Sequence, residues 1–125
     1  MKKLLILMSI LVAPQLSTAQ IGDVRQDGRN LHIYNDNFKN YKSLWLCKSC
    51  ELVGFNSKYI VISEPRIQAH IYDHNGANIG FIKYGRTTYV KNVTPVAIIM
   101  SDGVTTWLKK FSDFHSGLYQ AKTFK

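Results

Sequence analysis

Between residues 20 and 125, short β-branched and aromatic runs alternate with Gly, Asn, Asp, Ser and Pro at intervals of roughly 8–12 residues, and helical periodicity is hard to find. That spacing predicts an all-β domain. The runs that read as strands are Ile21–Arg25, Asn30–Tyr34, Lys42–Leu46, Glu51–Phe55, Tyr59–Ser63, Gln68–Tyr72, Ile79–Tyr84, Thr87–Val93, Val96–Met100, Thr105–Phe111 and Leu118–Phe124. Turn chemistry separates them at Asp27-Gly28, Asn35-Asp36-Asn37, Asn56-Ser57, Glu64-Pro65, Asn75-Gly76, Thr94-Pro95, Ser101-Asp102-Gly103 and Ser116-Gly117. Asn75-Gly76 is the clearest hairpin signal, because both residues tolerate the positive φ of a tight turn.

The pattern repeats. Leu31–Ser63 aligns residue for residue, without a gap, to Ala69–Ser101, with identities at His32/His70, Ile33/Ile71, Tyr34/Tyr72, Asn37/Asn75, Asn40/Asn78, Ile60/Ile98 and Ser63/Ser101. A third start is visible at Leu108-Lys109-Lys110-Phe111, one residue further on. A period of roughly 40 residues is what propellers, trefoils and related β arrays show, each unit being one block that cannot bury its apolar face alone. Four strands per unit give two complete units, a C-terminal fragment with two strands and an N-terminal fragment with one. If Ile21–Arg25 pairs beside the C-terminal strands, both chain ends complete the third unit and no edge is left open. A closed three-fold arrangement, trefoil-like or prism-like, is therefore favoured. A twisted sandwich or open bladed sheet is the alternative, and a ring assembled from several chains the third.

The stretch Tyr34-Asn35-Asp36-Asn37 and its partner Tyr72-Asp73-His74-Asn75 each follow an apolar strand and precede a Val or Ile run about 25 residues later. In this the chain resembles small secreted bacterial proteins of unassigned function built from β repeats of about 40 residues. The resemblance covers about 70 residues and departs in the third unit, where Ser112-Asp113-Phe114 replaces the turn. It implies a β repeat and no activity.

Residues 1–19 read differently. Lys2-Lys3 form a positive start, Leu4–Val12 an apolar run, Pro14 breaks it, and Ser17-Thr18-Ala19 supplies small residues before a cleavage point, the signature of a secretory signal peptide. The apolar run is only roughly 10 residues, short of the ~20 that span a bilayer, and no later segment is long and apolar enough to be a membrane helix. The mature chain is expected to begin near Gln20, as an exported protein of the periplasm or the exterior. Removing the leader takes Lys2 and Lys3 from the 16 basic side chains and none of the 8 acidic ones, leaving about +6 with histidines neutral. That charge suits an anionic envelope component, a glycan or a protein, and it also aids solubility. The lysines are scattered rather than gathered into a polybasic tract, so nucleic acid is not the expected partner. About 106 residues remain, enough for a single domain, 20–125.

Cys47-Lys48-Ser49-Cys50 is the sharpest local pattern. Outside the cytoplasm, paired cysteines become disulfides, and one here would staple the turn between Lys42–Leu46 and Glu51–Phe55. A thiol-redox role would need a cysteine at a helix N-terminus in a thioredoxin-like setting, which the pattern lacks. Zinc is the third reading, since Cys47, Cys50, His70 and His74 form C-x2-C and H-x3-H pairs, but the histidines fall on a strand and its turn rather than on one helical face. No cofactor is expected.

Catalytic constellations are weak. No serine sits in a strained-elbow motif, His115 has no orienting partner in Ser112–Gly117, and Asp102 with Asp113 is a pair that any small protein offers. Asn92-Val93-Thr94 is followed by Pro95, which argues against a glycosylation acceptor. The recurrent feature is an alternation of ionisable and aromatic residues, His32-x-Tyr34, His70-x-Tyr72 and Lys109-x-Phe111, in which period two puts each pair on one strand face. Related by the repeat, the three pairs are the candidate ligand surface, and core aromatics are the competing reading. The sequence therefore points to a non-enzymatic binding or structural module, with a thiol or metal protein built on Cys47 and Cys50 as the alternative.

Overall fold

The computed structural model describes residues 20–115. The expected leader, residues 1–19, and the predicted strand Leu118–Phe124 lie outside the described residues. Ten strands are present among them: β1 (Ile21–Asp27), β2 (Asn30–Asn35), β3 (Asn40–Trp45), β4 (Glu51–Phe55), β5 (Tyr59–Glu64), β6 (Gln68–Asp73), β7 (Asn78–Lys83), β8 (Tyr89–Val93), β9 (Ala97–Ser101) and β10 (Thr106–Lys110), followed by one helical turn, α1 (Ser112–His115). Each coincides with a predicted run to within a residue or two. At β8 the difference has a local cause: Thr88 N–H bonds to Gly85 O and holds Arg86-Thr87 in a turn, so the strand starts later than the β-branched threonines suggest.

The strands form three antiparallel meanders: a first sheet β1-β2-β3, a middle sheet β4-β5-β6-β7 and a last sheet β8-β9-β10. The middle sheet is covered on both sides. One face contributes Ile60 and Ile62, with Leu52 and Tyr72, to a core shared with Val24, Leu31, Ile33 and Leu46 of the first sheet and the turn that follows it. The opposite face contributes Tyr59, Val61, Ala69, Ile71 and Ile82 to a second core with Ile98 and Met100 of the last sheet. Coverage on both faces is why Tyr59-Ile60-Val61-Ile62-Ser63 is buried at every position, a continuous run rather than an alternation. On β2, in contrast, only Leu31 and Ile33 are buried and the residues between and beyond them are more exposed.

Where the stack stops is written in β1. Opposite Tyr34 and His32 of β2 stand Asp23 and Arg25, joined by an exposed ion pair of 2.9 Å. Opposite Tyr72 and His70 of β6 stand Ile60 and Ile62. The first sheet thus presents a hydrated face where the middle sheet presents an apolar one, and hydrated charge does not stack under another sheet. A polar outer face is what terminal units of layered proteins carry.

Two geometric details recur at the spacing that separates Leu31 from Ala69. β-Bulges interrupt the β4/β5 ladder between Leu52 and Gly54 and the β8/β9 ladder between Val90 and Asn92. Asn35 Oδ1 accepts from the N–H of Asn37 and Lys39, as Asp73 Oδ1 does from Asn75 and Ala77. The first strands of the middle and last sheets approach closely at Gly54, where a Cβ would lie 2.5 Å from a Val93 methyl. Only glycine allows β4 and β8 to meet there.

The all-β expectation holds, with three antiparallel sheets; no closed barrel or prism is found among the described residues, and the two faces of the middle sheet are covered by different neighbours. Among the described residues Ile21–Arg25 pairs with β2, its neighbour in sequence, and the predicted C-terminal strand Leu118–Phe124 lies outside them. The third start is in a different register. Lys109 lies opposite Ile98, as Tyr72 lies opposite Ile60, so Lys109 corresponds to Tyr72 instead of His70. The cause is a shorter connection: four residues separate the paired Ser101 and Thr106, whereas five separate the paired Ser63 and Ala69.

Candidate binding cleft

At one end of the junction between middle and last sheets, the backbone leaves a cleft of about 410 Å³. The end of β5 brings Ser63 to its floor, the residue after β7 brings Tyr84, and the turn Gly85–Thr88 brings Thr88. Ser63, Thr88 and Tyr84 are all buried. Ser63 and Tyr84 share a hydrogen bond of 2.7 Å, and Thr88 Oγ1 accepts the Gly85 N–H at 3.0 Å. Burial raises the Tyr84 phenol above its ordinary pKa, partly offset by the bond to Ser63. The Tyr84 ring is therefore neutral at physiological pH and able to donate or accept.

The walls are charged and aromatic: Glu51 from β4, Arg66 from the β5–β6 turn, Arg86 from the β7–β8 turn and Tyr89 from β8. Neither arginine forms a salt bridge with a carboxylate among the described residues. Arg66 holds a left-handed backbone, φ 70°, a conformation costly for any residue with a Cβ. The turn between β1 and β2 places Gly28 in the same conformation, φ 62°. A strained arginine at the mouth of a polar cleft is the kind of outlier that marks a ligand site.

The corresponding end of the other junction is filled. The turn Cys47–Cys50 is closed by the same backbone bond as Gly85–Thr88, Cys50 N–H to Cys47 O at 3.2 Å, and by a disulfide between its ends. Gln26 then bridges the two sheets, its Oε1 accepting Leu52 N–H at 2.7 Å and its Nε2 donating to Cys50 O at 2.9 Å. Leu46 and Cys50 are buried in the shared core beneath it.

The residues singled out from sequence do not share one surface. His32 and Tyr34 lie on β2, on the face opposite Leu31 and Ile33, and His32 Nδ1 is 3.0 Å from Ser43 Oγ. Tyr72 packs against the first–middle core, and His70 Nε2 meets Glu64 Oε1 at 3.0 Å. Lys109 lies opposite Ile98 on β10. Phe111 follows that strand and stacks on Tyr59, the ring centroids 4.4 Å apart. Cys47 and Cys50 are joined to each other, and no group of three or more His, Cys, Asp or Glu side chains among the described residues is placed to hold a metal. Asp102 serves its turn: its carboxylate accepts the N–H of Thr105 and Val104, which holds its pKa below the usual carboxylate value. Asp113 lies on α1.

Sequence reasoning missed Ser63, Arg66, Tyr84, Arg86 and Thr88 as a group. The signal that could have found them is Arg66, which the repeat spacing sets in correspondence with Gly28, where the turn geometry asks for glycine. No protein-family model matches this chain, and no curated protein or solved structure does. No helix among the described residues is long and apolar enough to cross a membrane.

Proposed function

We propose that this protein is an exported, non-enzymatic binding module that holds an acidic sugar of an extracellular or envelope glycan in the cleft between its middle and last sheets. The observation that carries the reading is Arg66, held in a strained conformation beside Arg86, neither in a salt bridge among the described residues. Guanidinium groups match carboxylates in planar, paired geometry, and the two arginines would take the acid group. Ser63, Thr88 and Glu51 supply hydroxyl and carboxylate partners for sugar hydroxyls, and Tyr89 offers an exposed ring for a sugar face. The leader-like residues 1–19 and the disulfide support export, since such bridges persist in oxidising compartments.

The three sheets are, in this reading, built from successive copies of one blade-like unit, supported by the recurrence of bulges and turn caps at the spacing that relates Leu31 to Ala69. Divergence between copies then accounts for one sealed and one open junction.

Titration calorimetry with a uronic acid disaccharide and its neutral counterpart tests the proposal. The acidic sugar is expected to bind, more weakly as salt rises, and an Arg66→Ala, Arg86→Ala variant is expected to lose at least about tenfold in affinity. Equal binding of the neutral sugar, or an unchanged affinity in the variant, would reject it.

A further inference from the structure

The opposite end of the middle–last junction carries a second cleft, of about 480 Å³. Among the described residues its cations are Lys58, from the β4–β5 turn, and Lys110, at the end of β10, no carboxylate lines it, and neither lysine is in a salt bridge. Between them lie Pro95, Val96 and the stacked pair Tyr59–Phe111, whose planes are 5° apart. Val96 is 72% exposed, an apolar side chain held in water at the rim.

The walls are fixed. Asn56 Nδ2 donates to Thr94 O at 3.0 Å and Pro95 O at 3.3 Å, while its Oδ1 accepts the N–H of Lys58 and Tyr59. One amide side chain thereby ties the two turns that form opposite sides of the cleft. Phe111 N–H bonds to Val96 O at 3.1 Å and closes the third side. A pre-arranged site loses less on binding than one that must be ordered by its ligand.

We propose that this cleft binds an anion with an apolar body, an alkyl phosphate in chemistry, whose charged group sits between Lys58 and Lys110 and whose chain lies along Val96, Pro95 and the edge of Phe111. Lysine is suited to such a role, a point charge on a flexible stem that can follow a phosphate without demanding planar geometry. The same chemistry reaches the protein either as a free amphiphile or as the headgroup of an acidic lipid in a membrane.

Calorimetric titration of the mature protein with octyl phosphate below its micelle concentration, with inorganic phosphate, and with vesicles of phosphatidylglycerol or phosphatidylcholine tests the site. Lys58→Met with Lys110→Met keeps the aliphatic stems and removes the charges, and Val96→Ser removes the apolar rim; all three positions are exposed, so the variants keep the fold. Octyl phosphate is expected to bind at least about tenfold tighter than inorganic phosphate, and the double lysine variant to weaken it by at least about tenfold. Val96→Ser is expected to weaken it by about threefold. Binding to phosphatidylglycerol vesicles, lost in the lysine variant, identifies the lipid headgroup as the source; octyl phosphate binding without vesicle binding identifies a free ligand. Absence of saturable octyl phosphate binding, or binding indifferent to the lysine substitutions, overturns the proposal.

Discussion

The two junctions of this molecule use the same backbone turn for different ends. Cys47–Cys50 and Gly85–Thr88 are both closed by an N–H to C=O bond across three residues. At the first–middle junction a disulfide reinforces the turn and Gln26 seals the space beneath it. At the middle–last junction the turn relies on the Thr88 hydroxyl, and the space is left to Ser63, Tyr84 and two arginines. The contrast teaches that a layered β protein can hold one interface shut with covalent and amide chemistry while leaving the geometrically similar place in the next interface polar and accessible.

That comparison can be broken first through the cores. Ile62→Ala, in the first–middle core, and Ile71→Ala, in the middle–last core, remove fully buried side chains and are each expected to lower unfolding free energy by about 3 kcal/mol. Both are expected to unfold in one urea transition, because the middle sheet belongs to both cores. A two-step transition in either variant would show that the junctions are independent units. Replacing both cysteines by serine acts only on the sealed junction. For so short a loop the expected loss is about 2 kcal/mol, measured by the same urea midpoints.

Gln26→Ala is expected to cost about 1.5 kcal/mol, since it leaves Leu52 N–H and Cys50 O without partners in a partly buried place. Tyr84→Phe, on the open side, is expected to cost about 1 kcal/mol at neutral pH through loss of the bond to Ser63. It also changes the alkaline behaviour. The folded Tyr84 pKa is raised, so above about pH 10 the unfolded chain releases its proton first and stability falls until the higher folded value is passed. The phenylalanine variant lacks that contribution, and its deficit relative to the parent shrinks as pH rises. A constant deficit would mean that Tyr84 does not titrate differently in the two states. The smallest effect is the most telling. Arg66→Gly is expected to raise stability by about 0.5 kcal/mol by relieving the left-handed backbone, while weakening acidic-sugar binding. A gain in stability with no change in binding would leave the strain unexplained by the ligand.

The strands were legible because each alternates or runs apolar between turn residues of specific chemistry, and Asn75-Gly76 with its positive φ of 81° at Gly76 is a direct instance. Their grouping into sheets was not. It depends on which faces are covered, and the deciding residues, Asp23 and Arg25 against Ile60 and Ile62, correspond only once the irregularity between Ile21 and Asp23 is counted. A bulge shifts the offset by one and hides the correspondence from a gapless comparison. The same difficulty misplaced β10, through a connection one residue shorter than its counterpart. The cleft was hidden for another reason. Glu51, the pair Ser63 and Arg66, and the pair Tyr84 and Arg86 come from three separated segments, and their convergence is set by sheet packing rather than by local pattern. The disulfide, by contrast, is local, and its short spacing together with the export expected from residues 1–19 made it readable.

The most direct test is a titration of isotopically labelled protein with the uronic acid disaccharide, followed residue by residue by nuclear magnetic resonance. Shifts are expected at the amides of Ser63, Arg66, Arg86 and Thr88 and at both arginine side chains, with Gln26, Arg29, Leu46 and Cys47 unmoved. Shifts centred on the sealed junction, or none at saturating sugar, would contradict the assignment of the open junction as the binding site.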